Sequence, residues 1–325
     1  MTKIYYDADV SLEPLTGKTV AIIGYGSQGR AQALNMRDSG LNVIIGARKG
    51  GFSWKKASEE AFEVYAINEA TKMGDVIHLL IPDQVQPEVY DAEVQKNLRR
   101  GCALSFSHAF NIHFGQIVPP DYVDVIMIAP KGPGVTVRET YTRGSGVPGL
   151  FAIAQDYTGR AKETALALGR AVGLSRVGMI ETTFREEVET DLLGEQAVLC
   201  GGVSELIKAG FETLVEAGYQ PEVAYYECLN ELKLIVDLIW SKGLEGMWCS
   251  VSNTAEYGGR TRGKMIITEE TKKTMKRMLE DIQTGRFARE WIMEYKSNCT
   301  VLKTLRKRDS DHLIEKVGKK LRELV

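Results

Sequence analysis

Two pairs of carboxylates stand at a spacing that chemistry can use. Asp191 and Glu195 are four apart in Thr190-Asp191-Leu192-Leu193-Gly194-Glu195, and Glu227 and Glu231 are four apart in Tyr226-Glu227-Cys228-Leu229-Asn230-Glu231. Residues at i and i+4 share one face of a helix, and like charges there repel. The surrounding segments are strongly apolar, so these acids are expected partly out of water, where they need a compensating cation. Lys233 is the closest basic residue. Four hard oxygen donors, with no suitable His or Cys cluster, suit Mg²⁺ and not zinc, and suffice for two ions polarising two oxygens of one substrate. The plain alternative is a pair of ordinary solvated acidic faces.

A second constellation is Gly24-Tyr25-Gly26-Ser27-Gln28-Gly29, a G-x-G-x-x-G turn between an apolar run and a helical pattern. Gly24 permits the tight turn, and Gly26 lets a pyrophosphate approach the backbone at a helix N-terminus. The next apolar run ends in Gly46-Ala47-Arg48-Lys49, with no acid to accept from a ribose 2′-hydroxyl. Arg48 and Lys49 suit a 2′-phosphate, and Ser53 can add a hydroxyl, so NADPH is the expected cofactor. The alternative makes both basic residues solvent-facing loop positions. Three more polar candidates are His108, just past a strand-like run; Lys131 in Ala129-Pro130-Lys131-Gly132-Pro133-Gly134, suited to an anionic substrate; and Ser252, a substrate contact or simply a helix cap.

These residues need elements to hold them. Lys18–Gly24, Asn42–Gly46, Asp75–Ile81, Cys102–Phe106 and Val123–Ile128 read as buried strands, and Ser27–Ser39 as a helix stopped by Gly40. Apolar strands separated by helical patterns predict a doubly wound α/β sheet of Rossmann type with parallel strands. His108 and Lys131 then fall at the carboxyl edge of that sheet, where ligands of such folds bind. From Glu186 onward the pattern is helical, over 188–217, 223–242, 269–285 and 288–297. The first of these is apolar nearly all round, which predicts burial. The expected division is a nucleotide-binding domain over 1–181 and an all-helical domain over 182–325. Lys303, Arg306, Lys307 and Arg308 are expected on a solvated face.

The bulk numbers exclude other classes. The chain has 325 residues, 44% hydrophobic and 26% charged, with a net charge of −2. Such a balance argues against a nucleic-acid partner. No apolar run reaches the roughly 20 residues needed to span a bilayer. The first residues lack the layout of a signal peptide, and five scattered cysteines suit a reducing cytoplasm.

Taken together and in order, the motifs resemble the short-form (class I) ketol-acid reductoisomerases along nearly the whole chain. The matching stretches are Gly24–Gly29, Asp83-Gln84-Val85-Gln86, His108 with Phe110-Asn111-Ile112-His113, Ala129–Gly134, Asp191–Gln196, Tyr226–Lys233, and Ser252 with Thr254-Ala255. The resemblance implies that Asp191 and Glu195 hold magnesium, that Glu227 and Glu231 complete the metal and substrate site, and that Ser252 contacts the substrate. It makes His108 the active-site histidine. Tyr25, Gly26, Ser27, Gln28, Arg48, Ser53, Asp83, Gln84, Val85, Gln86 and Gly134 would line the cofactor. It further implies a knotted helical domain, an acetohydroxy acid substrate, and a homodimer or assembly of dimers in which Glu227, Glu231 and Ser252 reach the partner's site. Two positions depart from the family pattern: Ala109 stands where glycine is usual, and Gly51 where serine is frequent. Some relatives with altered cofactor loops also use NADH.

The expected reaction is a metal-assisted alkyl migration, with Glu231 or a metal-held hydroxide as base, followed by hydride transfer from NADPH. A metal-free NADP-dependent hydroxy-acid dehydrogenase would share the first domain but not need the four acids. A nucleotide-sensing or assembly protein would bind NADPH without turnover.

Overall fold

The computed structural model describes residues 2–323. The first compact unit is built on nine strands: β1 (Ile4–Tyr5), β2 (Thr19–Ile23), β3 (Asn42–Gly46), β4 (Glu63–Tyr65), β5 (Val76–Leu79), β6 (Ala103–Phe106), β7 (Asp124–Pro130), β8 (Gly149–Gln155) and β9 (Met179–Glu181). They form one sheet in the order β1-β9-β8-β7-β6-β5-β2-β3-β4. The reversal between β2–β3 and β2–β5 puts the strand-order switch at β2, where the glycine turn leaves the sheet. Strands β2 and β5 are buried along nearly their whole length, which is why their sequences are continuous apolar runs and not alternating ones.

The five strands expected from the sequence pair in parallel, as expected, and the strands added beyond them make the whole sheet mixed. β8 runs antiparallel to β7, and the short β1 antiparallel to β9. The reason lies in residues 131–148. They leave the carboxyl end of β7 and re-enter the sheet at that same end, with Pro130 paired to Gly149 and the Lys131 N–H donating to the Pro148 carbonyl at 2.9 Å. A helix that returns to its own end cannot serve as a crossover. Four strands lie outside the expected series; β1, β4 and β9 are only two or three residues long, too short to carry a period.

The helices of this unit are α1 (Ser27–Asp38), α2 (Phe52–Glu59), α3 (Ile67–Met73), α4 (Gln86–Val89), α5 (Phe110–His113), α6 (Gly134–Thr142) and α7 (Ala161–Val172). The core runs through Val20, Ile22, Ile45, Met36, Ile126, Ile128, Phe151 and Leu168, all essentially without solvent exposure. Helix α8 (Phe184–Gly194) then carries the chain onward, and the contact division between compact units falls within it, between Val188 and Glu189.

The second unit is helical: α9 (Gly201–Glu216), α10 (Pro221–Tyr225), α11 (Glu231–Trp248), α12 (Asn253–Ile266), α13 (Glu269–Gln283), α14 (Arg286–Lys296), α15 (Thr300–Ser310) and α16 (Leu313–Arg322). Its core of Phe211, Ala224, Tyr225, Ile314, Val317 and Leu321 is small. Two expected long helices are interrupted. Residues 188–217 are broken by a π-helical turn at Glu195–Leu199, and 223–242 by another at Tyr226–Asn230. Helix α11 itself is broken at Gly243, where φ is +73°. The expected burial of 188–217 is also corrected. Leu199 is 71% and Leu206 52% exposed in the single chain. No helix among the described residues is long and apolar enough to cross a membrane, and Lys303, Arg306, Lys307 and Arg308 are exposed.

Close packing of the glycine turn makes a direct prediction. A Cβ on Gly29 would lie 2.4 Å from the Gly24 carbonyl oxygen. Gly29→Ala should destabilise the first unit by about 1–3 kcal/mol, as forced overpacking does, and the check is chemical denaturation followed by circular dichroism.

Candidate active site and cofactor loop

Strand β2 ends at Ile23, and the chain turns through Gly24 at φ +101° before α1 begins at Ser27. A side chain at Gly24 would strike the Leu80 carbonyl at 2.9 Å. Gly26 is the residue before the helix; a Cβ there would meet nothing within 4 Å. The first N–H groups of α1 therefore open onto a cleft of about 440 Å³ lined by Gly26, Ser27, Arg30, Phe52, Lys56 and Gly134, among others. Unpaired helix N–H groups and basic side chains together suit a pyrophosphate. Gly134 opens α6 directly against this turn, and a Cβ on it would sit 2.4 Å from the Ser27 carbonyl oxygen. Only glycine lets the two segments meet.

Tyr25, expected to line the cofactor, turns its side chain inward beneath the loop. Its ring is 1% exposed and packs edge-on against Phe62 at 5.6 Å. Its hydroxyl donates to Glu60 at 2.5 Å, and Glu60 also accepts from Arg30. Burial first, then the Glu60 carboxylate, pushes the phenol well above its ordinary range. The Arg30 hydrogen bond holds the Glu60 carboxyl below the usual carboxylate range despite partial burial. Tyr25 is thus an anchor beneath the loop, and only its backbone is left to face a ligand.

Gln28 donates to the Gly132 carbonyl at 2.9 Å. Arg48 and Lys49 are exposed just past β3, and Ser53 is partly exposed in the first turn of α2. Gly51 caps that helix, and a Cβ there would come within 3.1 Å of the Arg48 carbonyl oxygen. Asp83, Gln84 and Val85 are partly exposed, but Gln86 is buried. Gln86 donates to the Ile81 carbonyl at 2.9 Å and to Asp83 at 3.2 Å, while Asn111 donates to the Asp83 carbonyl and to Gln86. Gln86 therefore shapes this loop from inside.

The strongest electrostatic feature was not picked out from the sequence. Glu187, on α8, has a side chain only 1% exposed and gathers three partners. His108 Nδ1 lies 3.2 Å from its Oε2, the Lys131 ammonium 3.3 Å from its Oε1, and the Ala109 N–H donates to Oε2 at 3.0 Å. Burial alone would raise the Glu187 carboxyl. The His108 hydrogen bond and charge, the Lys131 ammonium and the Ala109 N–H outweigh it, and the carboxyl is held below its ordinary value. The cluster joins the loops after β6 and β7 at the carboxyl edge of the sheet. Ala109, at the position where the resemblance led us to expect glycine, has φ −83° and a fully buried methyl, so its side chain fits without backbone strain. Glu187 could have been found: it precedes Asp191 by four residues on the same helical face.

In the helical unit, Asp191 is half-buried on α8, while Glu195, Glu227 and Glu231 are exposed. This corrects the expectation that these acids are withdrawn from water within one chain. The apolar faces that would cover them are themselves open. Glu195 begins one π-helical turn, Glu227 lies within the other, and Glu231 follows it directly. Such turns insert an extra residue into a helix and are frequent at functional sites. Among the described residues, the four acids do not gather three together within 4.8 Å. Their chemistry still fits magnesium, since every donor is a carboxylate oxygen. Ser252 caps α12, accepting from the Ala255 N–H at 3.2 Å.

A glycine turn at the switch point of a mixed sheet, opening onto a basic cleft, puts the chain among the dinucleotide-dependent oxidoreductases. Comparison with known proteins narrows this. Residues 14–178 match the model for the acetohydroxy acid isomeroreductase NADPH-binding domain, and 184–325 that for the ketol-acid reductoisomerase C-terminal domain. The chain is 61% identical over 325 residues to a ketol-acid reductoisomerase (NADP(+)) of Methanopyrus kandleri, covering 100% of this chain and 99% of that one. It is 59% identical over 324 residues to the protein of the same name from Methanocaldococcus jannaschii, covering 100% and 98%. The solved structure of an NADH-preferring ketol-acid reductoisomerase from an uncultured archaeon superposes with a TM-score of 0.97 at 49% identity, covering 99% of both chains. The chain belongs to the ketol-acid reductoisomerase family.

Because the folded Glu187 carboxyl lies below its unfolded value of 4.5, the folded state binds fewer protons there. The stability it adds is present above pH 4.5 and is lost as the pH falls below it. Glu187→Gln should cost roughly 1.5–3 kcal/mol at pH 7, typical of hydrogen bonds to a charged group, and the gap to the parent should shrink toward pH 3 in urea titrations.

Proposed function

We propose that the chain isomerises an acetohydroxy acid, 2-acetolactate or 2-aceto-2-hydroxybutyrate, by alkyl migration and reduces the product with NADPH to a 2,3-dihydroxy-3-methyl acid, in branched-chain amino acid biosynthesis. The match of both halves of the chain to one family's two models carries this reading. When bound, two magnesium ions supply Lewis acidity at the substrate's hydroxyl and carbonyl oxygens, and NADPH supplies the hydride.

The residues do the rest. The backbone of Gly26, Ser27 and Gln28 binds the pyrophosphate, with Gly134 closing behind it. Arg48 and Ser53 receive the 2′-phosphate, and Asp83, Gln84, Val85 and Gln86 form the adjoining wall. Lys131 offsets negative charge developing on a substrate oxygen, and Glu187 holds that ammonium and the His108 ring in place. Asp191 and Glu195 provide metal donors. Glu227, Glu231 and Ser252 of the partner subunit complete the site, with Glu231 taking the hydroxyl proton.

That arrangement requires a homodimer or a larger assembly of dimers. The open apolar surface of the helical unit supports it, with Trp240 88% exposed and Leu199, Leu234 and Leu244 also uncovered. Five free cysteines support a place in the reducing cytoplasm. A basic Arg48-Lys49 pair without a neighbouring acid supports NADPH over NADH.

Two experiments test the reading. NADPH oxidation with 2-acetolactate should require magnesium and stop with EDTA; activity indifferent to EDTA would point instead to a simple hydroxy-acid dehydrogenase. Glu231→Gln should lower kcat by at least about 10²-fold, the usual worth of a general base, while the NADPH dissociation constant by fluorescence titration stays within twofold. Separately, Arg48→Asp should raise KM for NADPH by roughly tenfold or more, as loss of a paired phosphate contact would, and raise that for NADH far less.

A further inference from the structure

Strand β5 carries a histidine where an apolar residue would be the default. His78 is fully buried, between Ile22 of β2 and Ser105 of β6. Its Nε2 lies 2.9 Å from Oε1 of Gln32, a residue of α1 that is also fully buried. The Gln32 amide nitrogen donates to Gln28 Oε1 at 3.1 Å and to Ser107 Oγ at 3.0 Å. Gln28 in turn donates to the Gly132 carbonyl at 2.9 Å.

Counting donors fixes the direction of this chain. Both Gln32 N–H groups are committed, so its oxygen must face His78, and His78 must donate from Nε2 as the neutral tautomer. Burial favours that state and pushes the imidazole down to about 4, with the Ser105 backbone acting in the opposite direction. Nδ1 makes no hydrogen bond of ordinary geometry among the described residues.

The three segments tied together are the ones the site needs in register. Gln28 belongs to the cofactor turn. Ser107 immediately precedes His108. Gly132 immediately follows Lys131. Burying two polar side chains costs stability relative to an apolar pair, so their gain is geometric. We propose that the His78–Gln32 pair is a positioning element for the reaction, setting the spacing between the cofactor turn and the His108 and Lys131 loops. The inference rests on the reading of that cluster as the substrate end of the site.

The test is the full-length enzyme assayed with 2-acetolactate, NADPH and Mg²⁺. The double variant His78→Leu/Gln32→Leu removes both polar partners at once, so no lone polar group is left buried. It should melt near the parent yet lose roughly tenfold or more in kcat, as small misplacements do, with KM for 2-acetolactate little changed. His78→Gln, which keeps an N–H donor, should recover most of the turnover lost in His78→Leu. A folded double variant with parental kcat overturns the proposal, as does a His78→Gln variant no better than His78→Leu. If the double variant fails to fold, Ser107→Ala decides: a severalfold lower kcat supports the proposal, and parental kcat overturns it. Glu187→Gln run in parallel separates the two readings. Parental turnover in that variant would remove the cluster's role, while low turnover there with parental turnover in the network variants would remove only this inference.

Discussion

A carboxylate almost wholly withdrawn from water must be compensated, and the carboxyl edge of this sheet is organised by that requirement. Glu187 takes an imidazole, an ammonium and a backbone N–H, and each comes from a loop leaving a strand end. Removing any one partner would leave a buried charge short of its compensation. The consequence is geometric. The loops after β6 and β7 cannot drift independently, because both are held by one residue on α8.

The same economy appears on the cofactor side, where contact is steric and not ionic. Gly24, Gly29 and Gly134 bring three backbone segments so close that a single methyl would collide. The turn is then braced from two directions. Tyr25 reaches down to Glu60, which also accepts from Arg30, and Gln28 reaches across to Gly132. The first brace ends in the partly exposed Arg30–Glu60 ion pair, and the second is a neutral side-chain-to-backbone hydrogen bond. A turn held this way keeps its N–H groups already placed, which would lower the ordering cost for the pyrophosphate proposed to bind there.

The helical unit follows a different logic. Among the described residues, one core cluster of this unit joins Phe211, Ala224, Tyr225, Ile314, Val317 and Leu321, while tryptophan, leucine and valine side chains stand open to solvent. An open apolar surface of this kind marks an interaction site. Its acids sit at π-helical turns in those same uncovered helices, so the ligand oxygens and the apolar surface belong to one structural feature. Carboxylates exposed in the single chain are compatible with the proposed site shared between two copies.

Much of this was legible in the residues. Apolar runs of four or more residues located β2, β3, β5, β6 and β7, because strands buried on both faces leave an unbroken hydrophobic signal. The glycine turn and the basic pair after β3 were equally plain, since sterics and charge there depend on local sequence alone. The i, i+4 acids in apolar helices identified the metal donors proposed here. Other features exist only in three dimensions. The antiparallel entry of β8 depends on where residues 131–148 return, and no period records that. Burial of 188–217 was misjudged because a helix apolar all round is covered by whatever packs on it, and in one chain little does. Tyr25 and Gln86 read as cofactor-lining positions in sequence, and only the fold shows that their side chains hydrogen-bond inward, leaving their backbone to line a ligand. Glu187 reads as one acid among several in Arg185-Glu186-Glu187-Val188-Glu189. Only the fold, by closing His108 and Lys131 around it, decides that this one is buried and charged.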